Sequence, residues 1–151
     1  MPRYFLDSSA LVKRYHQESG TAQLEGLFNE PDNRFFISRL ALVELHSCFA
    51  RLVREGILTE RDFHQLIARL EFDVASGTLA VAAVSNPRLQ AASAILGTHG
   101  LTSPARTLDV IHLATAQALH GRTRIAAFVA ADKRLLASAA AACGLGVLDL
   151  S

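Results

Sequence analysis

Half of the 151 residues are hydrophobic and 19% are charged, which fits one ordinary folded domain and excludes a disordered or low-complexity chain. Lys and Arg number 15 and Asp and Glu 14, a formal +1, so a surface coated in positive charge is excluded and any nucleic-acid contact must come from a local patch. No run approaches the roughly 18 apolar residues of a membrane span, and the first apolar run meets Asp7 too early for a signal peptide.

Cys48 and Cys143 are isolated within apolar stretches and read as reduced core residues. A cytoplasmic protein is the expectation.

Tyr4-Phe5-Leu6 followed by Asp7-Ser8-Ser9 reads as a buried strand that stops at an acid. A helix is predicted from Ala10 to about Glu18, a second from Thr21 to Phe28, and a turn at Glu30-Pro31-Asp32-Asn33. Arg34 to Ile37 is a second strand, and Ser38 is placed to cap an amphipathic helix from Arg39 to about Glu55, ended by Gly56. Thr59-Glu60-Arg61-Asp62 has the form of a capping box and opens a helix to about Phe72. Leu79 to Val84 is a third strand. Asn86-Pro87 starts a helix to about Gly97, and another runs from about Arg106 to His120. Ile125 to Ala130 is a fourth strand, Lys133 to Cys143 an alanine-rich helix closed by Gly144, and Val147 to Leu150 a last strand. Strands alternate with helices throughout, and no linker divides them. The expectation is one α/β domain over residues 1–151 around a mostly parallel sheet.

Most of the acids have polar neighbours. Asp7, Glu44, Asp109 and Asp132 do not: two end apolar strands and two lie on helices among apolar residues. If those elements meet at one end of the sheet, four carboxylates face one pocket, and their repulsion would be relieved by a divalent cation. A thiolate-free oxygen site suits Mg²⁺ or Mn²⁺, and the chemistry implied is metal-assisted hydrolysis of a phosphate ester. Each acid also has a purely structural reading. Asp7 would cap the next helix, Glu44 would pair with Arg39 or Arg51, and Asp109 and Asp132 would each suit a helix N-terminus.

Four stretches, Phe5-Leu6-Asp7-Ser8-Ser9-Ala10-Leu11, Ser38-Arg39-Leu40-Ala41-Leu42-Val43-Glu44-Leu45, Leu108-Asp109-Val110-Ile111-His112-Leu113-Ala114-Thr115-Ala116 and Phe128-Val129-Ala130-Ala131-Asp132-Lys133-Arg134-Leu135, resemble the PIN-domain family. More narrowly, they resemble the VapC toxins of toxin–antitoxin pairs. The resemblance implies a five-stranded sheet in order 3-2-1-4-5 flanked by helices, and a Mg²⁺- or Mn²⁺-dependent endoribonuclease restrained by a VapB-like antitoxin. By the same resemblance, Asp7 and Asp109 would be the principal metal ligands, and Glu44 and Asp132 would complete the site. Ser8 would orient the Asp7 loop or a water. A homodimer face and an antitoxin groove would lie on the apolar helices between Leu40 and Leu70. Relatives often carry a hydroxyl just before the fourth acid; here Ala130-Ala131 stand there, which weakens the case for a second metal.

Lys13, Arg14, Lys133 and Arg134 follow the first and fourth strands and are candidates to hold RNA phosphates, against a reading as solvated helix starts. Arg51 and Arg54 read as outward residues for a partner or for solubility. His112 shares a helical face with Asp109 and reads as a packed supporting residue, as does His46. Two rivals remain. A phosphotransfer fold with Asp7 as nucleophile lacks its second acid, since Ser9 stands two residues on and Met1-Pro2-Arg3 offers no acid pair. A catalytically degenerate PIN domain that only binds RNA or a partner has to explain why four acids are present.

Overall fold

The computed structural model describes residues 1–151. Its one sheet has five parallel strands in the order β3-β2-β1-β4-β5: β1 Arg3–Leu6, β2 Arg34–Ser38, β3 Leu79–Ala82, β4 Ala127–Ala130 and β5 Val147–Asp149. Successive residues of the inner strands alternate between two cores. Leu6, Ile37 and Val129 face a cluster with Leu45, Phe49 and Leu70, while Phe5 and Phe128 stack at 5.8 Å over Leu113 and Leu136. Both faces are covered by helices, which is why the strands read as continuous apolar runs rather than as alternating ones.

Seven helices complete the layers: α1 Ser8–Leu11, α2 Thr21–Asn29, α3 Arg39–Arg54, α4 Glu60–Ala75, α5 Asn86–Thr98, α6 Thr107–Arg122 and α7 Lys133–Cys143. Helices α1 to α4 supply the first core, and α6 and α7 the second; α5 rests on α6 through Ala92, Ile95, Val110 and Ala114. The capping box at Thr59 and Asp62 forms as expected, and Gly144, at φ +64°, closes α7. No helix is long and apolar enough to cross a membrane.

Three local expectations are corrected. The first helix stops after one turn at Leu11 and continues only as a 3₁₀ turn, Val12–Arg14, instead of reaching Glu18. The chain folds back there: Thr21 donates its hydroxyl to the Lys13 carbonyl at 3.0 Å, removing that carbonyl from any longer helix. The N-cap position of α5 is Ser85 rather than Asn86, one residue earlier than expected, and its side chain makes no capping bond. Ser38 does occupy the N-cap of α3, but its hydroxyl makes no capping bond and is used elsewhere.

The strand order places β1 and β4 side by side, with the chain leaving β1 toward β2 on one side and β4 toward β5 on the other. In an open α/β sheet, the crevice at the carboxyl ends of two such strands is where ligands bind. Asp7 and Asp132 stand one and two residues past those two ends.

Candidate active site

Asp7 ends β1 and caps α1. Its Oδ2 accepts the Ser9 backbone N–H at 3.0 Å and the Ser9 hydroxyl at 2.6 Å. Ser9 Oγ in turn accepts the Ala131 N–H at 3.0 Å, so one side chain ties the end of β1 to the end of β4. The hydroxyl on Asp7 therefore belongs to Ser9. Ser8, expected to orient the loop, only lines the pocket. The helical cap uses Oδ2 alone. Oδ1 is buried with no hydrogen-bond partner, the only buried side-chain oxygen or nitrogen in the chain so placed.

Glu44 comes from the second turn of α3 and His112 from α6. His112 is fully buried; its Nε2 donates to Glu44 Oε1 and lies 3.7 Å from Asp7 Oδ1. Its Nδ1 pairs with the buried Ser38 hydroxyl at 2.8 Å. Ser38 is thus diverted from capping α3 to fixing the imidazole that holds Glu44. Burial pulls the His112 pKa down, but the Glu44 hydrogen bond and the charges of Asp7, Glu44 and Asp109 outweigh it, and the net direction is upward.

Asp109 lies in the first turn of α6, half-buried. Desolvation first, and then the negative charges of Asp7 and Asp132, push its carboxyl up to about 6. Asp132 caps α7, with Oδ1 accepting from the Arg134 and Leu135 N–H groups at 2.9 and 3.2 Å, which leaves Oδ2 outside the cap. The structural readings of Asp7 and Asp132 as caps are therefore both correct, and each spends only one oxygen.

All four acids line one pocket of about 490 Å³, together with Ser8, Ser9, Arg51 and Arg106. The side chains do not converge into a ready cage of three or more His, Cys, Asp or Glu. They surround an open space, which suits an ion that keeps several waters and takes few protein carboxylates. The orphaned Asp7 Oδ1 and the mutual repulsion felt by Asp109 are what a cation at this place would relieve, so the residues present fit a divalent metal.

The basic residues sort differently from the sequence expectation. Lys13 is buried and donates to Glu18 Oε1 and the Ser19 carbonyl. Arg14 gives two hydrogen bonds to Asp73 and lies 4.1 Å over the Phe28 ring. Both are occupied inside the fold and are withdrawn as RNA contacts. Lys133 and Arg134 are exposed beside Asp132, and Arg134 borders a smaller pocket that Asp109 and Asp132 also line. Arg51 is exposed, as expected, and also lines the acid pocket. Its position seven residues, two helical turns, after Glu44 carried that signal, and Arg106, three residues before Asp109, carried the same one. His46, bonded to the Leu42 carbonyl, lies outside the pocket.

The Ser9 clamp carries a stability prediction. Ser9→Ala removes one bond to Asp7 and leaves the Ala131 N–H without its acceptor, an expected loss of about 1–3 kcal/mol. Ser8→Ala should stay within about 0.5 kcal/mol of wild type. Urea unfolding of the two variants separates these outcomes.

The family model of the PIN domain matches residues 4–141. No curated protein matches the sequence. Among solved structures, DNA-bound VapBC from Salmonella typhimurium aligns with TM-score 0.63 at 16% identity, over 100% of both chains. VapC20 of Mycobacterium tuberculosis, a sarcin–ricin loop cleaving toxin, aligns with TM-score 0.65 at 17% identity, over 89% of this chain and 94% of that one. FitAcB from Neisseria gonorrhoeae aligns with TM-score 0.64 at 17% identity, over 97% and 96%. The chain belongs to the PIN-domain family.

Proposed function

We propose that this PIN-domain chain is a metal-dependent endoribonuclease and the toxin component of a VapBC-like toxin–antitoxin pair. The observation that carries the reading is the buried, unpartnered Oδ1 of Asp7, a residue that lines one pocket with Glu44, Asp109 and Asp132 at the switch point of the sheet. Structural similarity to VapBC and VapC proteins over nearly the whole chain supports it.

Asp7 and Asp109 would hold Mg²⁺ or Mn²⁺, with Glu44 and Asp132 completing the site directly or through water. When bound, the ion supplies an activated water and charge neutralisation for the phosphodiester. The chain's own contribution is positional. Ser9 fixes the orientation of the Asp7 carboxylate, while Ser38 and His112 hold Glu44. Asp132 is held by the α7 N-terminus. Arg51 and Arg106 add positive charge along the pocket for RNA phosphates, and Lys133 and Arg134 add it at the mouth. The products would carry a 5′-phosphate and a 3′-hydroxyl.

The partner is a VapB-like antitoxin, and the assembly is a homodimer through α3 and α4. Leu42, Val43, Leu70 and Val74 line a groove of about 520 Å³ there, with Val43 and Phe72 exposed nearby. A monomer in light scattering would remove the dimer. RNA as substrate places the activity in the cytoplasm.

The deciding experiment is cleavage of pooled cellular RNA by the purified, antitoxin-free protein, with Mg²⁺ or Mn²⁺ and with EDTA. Cleavage that needs the metal is the expected result. Metal binding without cleavage, by protein shown to be folded, would replace the enzyme with a degenerate binding module.

A further inference from the structure

Beside the acid pocket lies a second, smaller one of about 200 Å³. The two share Arg106, Asp109, Asp132 and Leu135, so the acids form the wall between them. Buried Val110, Leu113 and Leu135 form its floor, Ala105, Ser138 and the two acids line its sides, and the exposed Arg106 and Arg134 stand at its rim. Neither arginine has a carboxylate ion-pair partner within 4 Å, unlike Arg14. Helix α6 starts at this rim, and its N-cap residue, Arg106, gives no side-chain cap, so positive dipole and positive side chain coincide. The outer wall is held in place: His99 Nε2 bonds Ser138 Oγ at 3.0 Å, tying the segment before Pro104 to α7.

An apolar floor beneath a cationic rim suits a flat heteroaromatic ring attached to a phosphate. The side pocket is the smaller of the two, about 200 Å³ against about 490 Å³, which suits a single base rather than a base pair. Readout of RNA sequence uses such splayed, unpaired bases. Continuity with the acids sets the distance, because a nucleoside seated here has its phosphate at Arg106, beside Asp109.

We propose that this side pocket is the subsite for one unpaired nucleoside next to the phosphodiester held by the acids, with Arg106 and Arg134 binding its phosphates and the pocket setting base preference. The assignment as a cleavage subsite rests on the nuclease reading above; the binding itself does not.

The test uses the full chain in two arms. In the first, the four 5′-nucleoside monophosphates and their 3′ isomers are titrated with Mg²⁺ present, read by NMR shifts of the Ala105, Val110 and Leu113 amides. One or two bases are expected to move these amides. Ala105→Phe, which fills the pocket, and Arg134→Ala, at an exposed position, should each weaken that binding by about tenfold or more. In the second arm, cut sites on pooled RNA are mapped for the same proteins. Wild type should show a base preference at one position beside the cut, lost in Ala105→Phe. Absence of any shift at these amides, or equal binding by Ala105→Phe with its fold intact, overturns the subsite. An unchanged cut-site pattern in that variant overturns its role in specificity. Nucleotide binding in the side pocket by a protein that cuts no RNA leaves the subsite standing and removes the nuclease.

Discussion

Asp109→Asn is expected to abolish metal-dependent RNA cleavage and at the same time make the metal-free protein more stable. Loss of a residue that merely supports a metal ligand costs about 10–100-fold, so loss of a principal ligand should cost on the order of a thousandfold or more. The stability gain has a separate origin. Desolvation, Asp7 and Asp132 together lift the Asp109 carboxyl from 3.8 to about 6. A carboxyl whose folded value lies above its unfolded value costs stability. The cost begins as pH rises through about 4 and is complete above about 6. With the group only half-buried and screened, the cost at neutral pH is about 1–2 kcal/mol, and its removal should raise the melting temperature by about 3–6 °C. Calorimetry in EDTA at pH 7.5 and pH 4 checks this, since the gain should shrink at the lower pH. Mg²⁺ should stabilise wild type and leave the variant unmoved. An Asp109→Asn protein that melts lower than wild type at pH 7.5 would show that this carboxylate is not held against repulsion. In wild type, protons compete with metal below about pH 6, so activity at limiting metal should fall there.

The second large effect lies outside the site. Asp73, buried on α4, accepts from Arg14 Nε and Nη2 at 2.8 and 3.2 Å and from the Tyr15 hydroxyl at 2.6 Å. Asp73→Ala leaves a largely buried guanidinium and a buried phenol without partners. Breaking a buried pair costs about 3–5 kcal/mol; with the Arg14 side chain 21% exposed, about 2–4 kcal/mol is expected here, or about 6–12 °C. Burial acts to raise the Asp73 carboxyl, but the Arg14 and Tyr15 bonds prevail and hold it below the usual carboxylate range. Its stabilisation is therefore fully present above pH ~4 and is lost as pH falls through the depressed folded value. Urea melts at pH 7 and pH 3 should show the wild-type advantage over Asp73→Ala narrowing with acid; a constant difference would contradict the ion pair. The same network predicts that Arg14→Ala loses activity by unfolding, with no change in RNA affinity for the folded fraction.

The sequence by itself determined the α/β class, the strand and helix alternation and the four acids that stand out among apolar neighbours. These signals are local: an apolar run ending in Asp7 or Asp132 is costly wherever it folds, and the capping box at Thr59 needs only four residues. Tertiary structure decided which side chains those acids meet. Ser9, not Ser8, reaches Asp7 because α1 begins immediately and turns the second hydroxyl back toward β4. Ser38 reads as an ordinary cap until a histidine 74 positions away arrives on α6 and takes its hydroxyl. Lys13 and Arg14 read as a basic pair at the pocket mouth, yet their partners, Ser19 and Asp73, are fixed only when the chain folds back and α4 docks. Charge and hydroxyl groups have several possible partners along a chain, and only packing, by burying some and exposing others, selects among them.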